Sequence, residues 1–193
     1  MPELSAPDLA ATPGQTIGPF FDYALPYTGD RELVPRGSAG SVRLHGYVYD
    51  DDGNGIEDAL LEIRQADAAG AVPAGPGSLC RGGAPFTGWG RTATDADGHY
   101  WFSTIEPGPV RPGSAPFFAV AVFARGLLSR LFTRIYLPGS PAVLDGDRLL
   151  ASLEAGERGA MVATHEADGG LRFDIHLQGR RETPFLTFSG HLR

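Results

Sequence analysis

The stretch VRLHGYVYDDDGNGIEDALLEIRQ, residues 42–65, decides the fold class. Residues 42–49 alternate apolar and polar side chains, which is the pattern of a strand with one buried face. The run DDDGNG at 50–55 offers glycines and Asx side chains that favour a tight turn. Because residues 59–65 indicate a second strand, the whole stretch predicts a β-hairpin.

Similar strand signals recur downstream at short intervals, as is typical of an all-β domain. The later predicted strands are residues 99–105, 117–123, 131–137 and 171–178, and residues 145–154 are the one helix candidate. We therefore predict an immunoglobulin-like or prealbumin-like β-sandwich with one short helix. Residues 42–193 are expected to form this sandwich. Residues 1–41 are expected to form an extended arm that docks on the sandwich or on a partner.

The composition favours a turn-rich globular domain. The 193 residues include 27 glycines and 16 prolines, yet 42% of the chain is apolar, which excludes a disordered protein. The net charge is −7 and every basic residue is an arginine, so nucleic acid and anionic membranes are not expected as partners. The sequence shows no secretory signal pattern and no apolar run of membrane-spanning length, so we expect a cytoplasmic protein.

Motifs of common catalytic chemistry are missing from the sequence. It contains no nucleophile elbow, phosphate loop or paired-cysteine metal motif. The histidines lack the spacing that directs two imidazoles to one metal, so a solvated or hydrogen-bonded role is expected for His45 and His176. Cys80 lies in a Gly-rich loop and fits a bystander thiol better than a nucleophile. The cluster of Asp50, Asp51, Asp52 and Asn54 fits a hairpin turn better than a calcium loop.

Several segments resemble known families. The segments GYVYDDDGNGIEDALLEI (46–63), TDADGHYWF (94–102) and PGP (107–109) resemble a prealbumin-type sandwich. The segments TPGQTIGPFF (12–21), IRQADAAG (63–70), FARG (123–126) and TRIY (133–136) are similar to the intradiol ring-cleaving dioxygenases. The resemblance covers nearly the whole chain in the expected order, and the motifs are specific only when taken together.

The resemblance implies a metal site that this chain has lost. The family holds Fe(III) with two tyrosines and two histidines, and its catalytic subunit carries a Pro-Gly-Pro-Tyr segment and a Pro-Ala-His-x-His strand. Here Val110 follows the Pro-Gly-Pro segment, and Phe117 and Ala119 stand where the histidines belong. No tyrosine occurs between Tyr49 and Tyr100 to supply the other ligand. We therefore expect that this chain binds no metal or cofactor, and that Fe(III) lies in a homologous β subunit.

The function that the resemblance implies is insertion of O₂ into protocatechuate (3,4-dihydroxybenzoate), giving 3-carboxy-cis,cis-muconate in the β-ketoadipate pathway of aromatic catabolism. This chain would be the iron-free α subunit, inactive alone, that completes the substrate pocket and the oligomer. By the same resemblance Thr16, Gly18, Pro19 and Arg134 would lie near the partner's iron site.

The residue patterns leave other interpretations open. Residues 16–19 fit a simple turn equally well, and Arg134 fits a solvated edge-strand residue. Alternation places Arg134 beside Phe132 and Tyr136 on one face, which we expect to be exposed toward a partner. The alternative functions are a free-standing prealbumin-like binding module and a homo-oligomeric dioxygenase with a relocated metal site. The segment at 12–21 favours the α subunit over the binding module.

Overall fold

The computed structural model describes residues 25–74 and 86–188. In these ranges the chain forms short strands and three short helices. In chain order the elements are β1 (Ser41–Tyr49), β2 (Leu60–Gln65), β3 (Trp89–Ala93), β4 (His99–Ile105), β5 (Phe117–Phe123), β6 (Leu131–Tyr136), α1 (Pro141–Gly146), α2 (Arg148–Ala151), α3 (Ala155–Gly159), β7 (Thr164–His165), β8 (Leu171–Arg172) and β9 (Ile175–His176).

Two sheets enclose the hydrophobic core. The first has the order β4-β1-β8-β7, with β9 also pairing with β1, and the second has the order β3-β2-β5-β6. Buried side chains from both sheets form one cluster, for example Leu44 and Phe102 from the first and Ile63 and Phe118 from the second. The predicted all-β two-sheet architecture is confirmed, and the apolar face of β1 lies in the core as its alternation indicated.

The hairpin turn predicted at residues 50–55 forms, with Tyr49 bridged antiparallel to Gly55, but the two long strands on either side of it do not pair with each other. The Asp50 carboxylate accepts a hydrogen bond from the backbone N–H of Asn54 at 2.8 Å. However, β1 pairs with β4, and β2 pairs with β3 and β5 in the other sheet. Between the turn and β2, Asp58 adopts a left-handed φ of 59°, and over this segment the chain crosses from one sheet to the other.

The prediction of one short helix at 145–154 is also wrong. The structure has α1 and α2 in that region and α3 after it, because Asp147 interrupts the run with an extended backbone. Its carboxylate accepts hydrogen bonds from the backbone N–H groups of Leu149 and Leu150, and this capping requires a non-helical residue. Asp147 therefore ends α1 and caps α2, so that two short helices form where the sequence predicted one.

The strand predicted at 171–178 is interrupted as well. It pairs with β1 only in the two-residue segments β8 and β9, although Leu171, Phe173 and Ile175 are all buried as the alternation predicted. Gly46 permits the close approach there, because a Cβ atom on it would overlap the carbonyl of Phe173.

The described part of the predicted arm lies along β4. The Leu33 N–H donates to the Ser103 carbonyl at 2.8 Å, and the Ser103 N–H donates to the Arg31 carbonyl at 2.9 Å. Leu33 is only 7% exposed and belongs to the core cluster. Residues 1–24 lie outside the described ranges, so the arm as a unit of 1–41 stays a prediction. Within those ranges, the structure has no helix of the length and apolar character needed to cross a membrane.

Candidate functional site

A cavity of about 820 Å³ opens beside β5, β6 and the first two helices. We call it the arginine cavity; the lining residues used below are Val110, Arg111, Phe117, Arg134, Asp147 and Arg148. It brings together three positions that the sequence singled out separately: the residue after Pro-Gly-Pro, the first of the two histidine positions, and the arginine of the TRIY segment.

Two glycines set the position of Val110. The Gly108 N–H donates to the Asp67 carbonyl at 2.8 Å, which ties the Pro-Gly-Pro segment to the loop after β2. A Cβ atom on Gly108 would clash with the carbonyl of Ala68, and one on Gly70 would clash with the carbonyl of Pro109. The two backbones are therefore in contact at glycines that no other residue replaces without a shift.

Strand register places Phe117, Ala119 and Arg134 together. On β5, Phe118 and Val120 face the core, so the half-buried Phe117 and Ala119 face the other side of the sheet. Ala119 lies opposite Arg134 on β6. Phe117 contacts that arginine directly, because the Arg134 Cζ lies 4.0 Å from the centroid of the Phe117 ring, within cation–π distance.

A chain of hydrogen bonds holds the Arg134 side chain. Its Nη1 donates to the Tyr136 Oη at 3.0 Å, and the Tyr136 hydroxyl donates to Oδ1 of Asp147 at 3.0 Å. Asp147 is 4% exposed, and its Oδ2 accepts a further bond from the Ala115 N–H at 3.3 Å. The guanidinium is therefore fixed between an aromatic ring and a buried polar network.

The prediction that Tyr136 shares an exposed face with Arg134 is wrong. Tyr136 is completely buried and packs in a second cluster with Ala115, Leu150 and Met161. The segment that carries the short helices covers this end of β6, which strand alternation alone does not indicate. Burial raises the pKa of the Tyr136 phenol to about 12, so it is neutral at physiological pH despite the adjacent guanidinium.

The donor chemistry of the arginine cavity does not fit a ferric ion. Val110 and Phe117 carry only hydrocarbon side chains, and so does Ala119 beside them. Tyr136 is held as a neutral phenol, and both oxygens of Asp147 accept hydrogen bonds. Fe(III) needs anionic oxygen or imidazole donors. Among the described residues, no group of three His, Cys, Asp or Glu side chains is placed to hold a metal.

A second pocket, of about 730 Å³, lies on the first sheet. We call it the tryptophan pocket; it is lined by Arg31, Arg36, Arg43, Asp95, His99 and Trp101, among others. The guanidinium carbons of Arg31 and Arg36 lie 4.9 and 5.1 Å from the Trp101 ring centroid. Each of these two arginines also has a neighbouring carboxylate, at 3.6 Å (Asp30) and 3.3 Å (Glu32).

The hydrogen-bonded role predicted for His45 is confirmed, since its Nε2 lies 2.7 Å from Oε2 of Glu166 and its Nδ1 lies 3.3 Å from Nε2 of His99. The ring of His176 stacks on that of Tyr49, with 5.1 Å between the ring centroids. Thr16, Gly18, Pro19 and Cys80 lie outside the described residues. The sequence did not single out Asp147, Arg111 or Arg148; its only signal for Asp147 was the acidic start of the helix candidate.

Comparison with known proteins identifies the family. The sequence model of the dioxygenase family matches residues 18–179. The alpha chain of protocatechuate 3,4-dioxygenase from Burkholderia cepacia is 37% identical, over 92% of this chain and 98% of that chain. The chain belongs to the intradiol dioxygenase family.

Other relatives include both an alpha and a beta chain of protocatechuate 3,4-dioxygenase. The alpha chain from Pseudomonas putida is 32% identical over 93% of this chain and 98% of its own length. The Burkholderia cepacia beta chain is 32% identical over 88% of this chain and 77% of its own length.

Solved structures support the fold. The dioxygenase domain of a carbohydrate-binding fusion from Streptomyces sp. SirexAA-E is 28% identical, with a TM-score of 0.61 over 87% of this chain and 98% of that chain. Catechol 1,2-dioxygenase from Acinetobacter sp. ADP1 shares the fold, with a TM-score of 0.52 at 20% identity over 75% of this chain and 55% of that chain.

Proposed function

We propose that this chain is the iron-free α subunit of a protocatechuate 3,4-dioxygenase and works with a homologous β subunit that binds Fe(III). The observation that carries the proposal is the match to alpha chains over nearly their whole length. The hydrocarbon side chains of Val110 and Phe117 in the arginine cavity support it, because an intradiol enzyme that lacks iron donors in one chain needs them in another. We place the complex in the cytoplasm, where a single thiol stays reduced.

The reaction would cleave the ring bond between the two hydroxyl-bearing carbons of protocatechuate. Both atoms of O₂ enter the product, one in each new carboxyl group. The partner's Fe(III) would supply the chemistry that brings the catechol and O₂ together. This chain would bind and orient the substrate, and Thr16, Gly18 and Pro19 of the arm would complete the pocket wall.

Arg134 is the residue that we assign to the substrate carboxylate. Its guanidinium is held in one orientation by Phe117 and the Tyr136 hydroxyl, so little conformational freedom is lost on binding. Among the described residues no carboxylate neutralises it. Charge-assisted hydrogen bonds from a guanidinium suit a planar carboxylate.

Co-expression with an iron-bearing β homologue tests the proposal. We expect the two chains to purify together, with iron in the complex and loss of protocatechuate in an O₂-dependent spectrophotometric assay. This chain expressed alone should show no tyrosinate-to-iron absorption and no turnover. If the chain stays separate from the β homologue and the β homologue turns over fully without it, the binding-module alternative holds.

Truncation tests the role of the arm. Deleting residues 1–21 leaves every described strand in place, so the circular dichroism of the β structure should persist. The complex should loosen or lose activity. Unchanged assembly together with unchanged turnover would show that Thr16, Gly18 and Pro19 take no part in the site.

A further inference from the structure

We propose that Arg91 is a positioning residue that fixes the N-terminal arm on the outer face of the second sheet, the face that carries Arg134. The inference rests on the proposed function for its consequence in the substrate pocket, whereas the attachment of the arm is a property of this chain alone. Arg91 lies on β3, an edge strand of that sheet, and its side chain reaches Leu25, the first described residue of the arm.

The first observation is that Arg91 contacts the arm at two points. Its backbone N–H donates to the Asp30 carbonyl at 2.9 Å, and its guanidinium Nη1 donates to the Leu25 carbonyl at 3.3 Å. The second of these bonds is charge-assisted, which makes it stronger than a hydrogen bond between neutral groups. Arg91 therefore holds the arm both at the edge of β3 and at the point where the described chain begins.

The second observation is that the Arg91 guanidinium is itself held in one orientation. Its Nε donates to Oε1 of Glu62 at 2.9 Å, and its Nη2 donates to the same oxygen. Its Cζ lies 5.2 Å from the centroid of the Trp89 ring, and the side chain is only 15% exposed. Because these contacts already restrict the side chain, little conformational entropy is lost when Nη1 binds the Leu25 carbonyl.

Strand register places this contact on the same face as Arg134. On β3 the buried Gly90 and Thr92 face the core, so the Arg91 side chain lies on the outer side of the sheet. The neighbouring row of paired residues crosses all four strands and consists of Trp89, Arg64, Ala119 and Arg134. The arm is therefore attached at one edge of the face on which Arg134 lies.

The length of the chain makes the point of attachment important. Six residues separate Leu25 from Pro19, and six fully extended residues span at most about 20 Å. Three strand spacings separate β3 from β6, which amounts to about 14 Å. An arm held at Leu25 can therefore bring Pro19 to Arg134, but with few residues to spare. The contact with Arg91 fixes the start of the segment that carries Thr16, Gly18 and Pro19.

Arg172 on the first sheet provides a matched control. Its Nη2 forms an ion pair with Oδ2 of Asp174 at 2.9 Å, and its Cζ lies 5.5 Å from the centroid of the Tyr47 ring. Arg172 therefore has the same two kinds of partner as Arg91, a carboxylate and an aromatic ring, but on the sheet at the other side of the core. A variant at Arg172 shows what the loss of such a pair does by itself.

Hydrogen exchange of the full chain, read by mass spectrometry, tests the attachment of the arm. Arg91→Met keeps the aliphatic stem and removes the donors, and Glu62→Gln is added so that no unpaired carboxylate remains. In this double variant the backbone amides of residues 27–30 should exchange about tenfold faster than in wild type, because a charge-assisted hydrogen bond is lost. Exchange should be unchanged in Glu62→Gln alone and in the control that combines Arg172→Met with Asp174→Asn.

Two outcomes of this experiment would overturn the inference. The first is exchange of residues 27–30 that is as slow in the double variant as in wild type. The second is equal acceleration in Glu62→Gln alone or in the Arg172 control, since loss of the Leu25 contact would then not be the cause. Circular dichroism checks that each variant is folded, and if Arg91→Met is not, Arg91→Gln gives the same comparison with a neutral polar side chain.

The consequence for the substrate pocket is measured in the assembled enzyme. Since the arm would form a wall that both substrates meet, the double variant should lower kcat/KM for protocatechuate and for catechol by the same factor, about tenfold. Arg91→Lys, which keeps the charge and a donor, should restore most of the activity. Unchanged kcat/KM for both substrates, or a loss confined to protocatechuate, would contradict the inference. Failure to assemble with a β subunit would overturn the proposed function and leave the exchange result standing.

Discussion

The arginine cavity and the tryptophan pocket are similar in size and in residue types, yet they differ in how their charges are balanced. Both contain three guanidinium groups, and in both a guanidinium lies on an aromatic ring: Arg134 on Phe117, and Arg31 and Arg36 on Trp101. In the tryptophan pocket every arginine has a carboxylate neighbour. In the arginine cavity the buried Asp147 instead reaches Arg134 only through the hydroxyl of Tyr136.

Under the proposed function, this difference separates arginines that have a structural role from Arg134, which is assigned to a ligand. An ion pair between an arginine and a surface carboxylate contributes little to stability, because solvent screens the attraction between the two charges. An arginine that is oriented by a ring and a neutral phenol keeps its charge free for an external anion. By residue composition alone, the two pockets would be equally good candidates for an anion-binding site. Only the partners of each guanidinium distinguish them.

The largest expected effect is on stability, from Asp147→Ala. The substitution removes the cap of α2 and leaves the Ala115 N–H and the Tyr136 hydroxyl without their buried acceptor. We expect the free energy of unfolding to fall by about 3 kcal/mol, from one lost cap and the unsatisfied donors. Urea titration monitored by circular dichroism measures it.

The matched variant for Asp147→Ala is Glu32→Gln, which removes the carboxylate beside Arg36 of the tryptophan pocket. It breaks the ion pair with Arg36, whose side chain is 72% exposed, so it should change the free energy of unfolding by less than about 0.5 kcal/mol. Equal losses in the two variants would show that the two charge arrangements do not differ in the way described.

The next effect concerns activity in the assembled enzyme. Arg134→Ala should lower kcat/KM for protocatechuate by about tenfold or more, since a charge-assisted hydrogen bond of roughly 1.5–3 kcal/mol is lost. Turnover of catechol, which has no carboxylate, should change much less. Steady-state kinetics with both substrates measure the difference.

Arg36→Ala in the tryptophan pocket is the control for the Arg134 variant and should leave both substrates unaffected. If Arg134→Ala lowers kcat/KM for both substrates by the same factor, Arg134 has a structural role and its assignment to the substrate carboxylate is wrong.

A smaller effect is expected from Tyr136→Phe. Loss of the hydroxyl frees Arg134 from its hydrogen bond and leaves Asp147 with one donor fewer, so stability should fall by about 1 kcal/mol. The preference for protocatechuate over catechol should also fall, though by less than in Arg134→Ala. Chemical denaturation and the kinetic comparison of the two substrates give both values.

Tyr100→Phe is the control for Tyr136→Phe, because the Tyr100 hydroxyl donates to the Phe173 carbonyl at 2.6 Å on the first sheet. Tyr100→Phe should lower the free energy of unfolding by a similar amount and leave the preference for protocatechuate over catechol unchanged. A loss of preference in both variants would mean that specificity follows stability, and that Tyr136 does not position Arg134.

The smallest effect is a pH dependence at the tryptophan pocket. Burial lowers the pKa of His99, although the nearby Asp95 opposes the shift and His45 and Arg43 add to it. Between this lowered value and the unfolded value of about 6.5, the unfolded chain binds more protons. Stability is therefore complete above about pH 6.5 and falls as the pH decreases, by less than about 1.4 kcal/mol per pH unit for this group.

Urea titrations between pH 5 and 8 on wild type and His99→Gln measure this slope. In His99→Gln the slope of stability against pH should be smaller. We expect the slope that remains to come from His176, because burial also lowers its pKa. If the slope is identical in wild type and His99→Gln, a group other than His99 causes the pH dependence of stability.

Alternation along a strand fixes which face a side chain occupies, but not what covers that face or which strand pairs with it. Alternation correctly predicted which side chains of β1 face the core, because each residue's face follows from its neighbours along the strand. It failed for Tyr136, which a distant segment covers. The turn at 50–55 was recognised, but the pairing partners of the strands on either side of it were not, since partner choice depends on the whole sheet.

By itself the sequence determined the all-β class and most of the longer strands, which follow from local periodicity. Its residue motifs also indicated the family, and that resemblance implies that Val110, Phe117 and Ala119 stand at positions without iron donors. The tertiary structure alone decided that Asp147 reaches Arg134 through Tyr136, and that Arg111 and Arg148 join them around one cavity. The reason is physical: the charge available to a ligand depends on distances between side chains that lie far apart in the chain, and folding sets those distances.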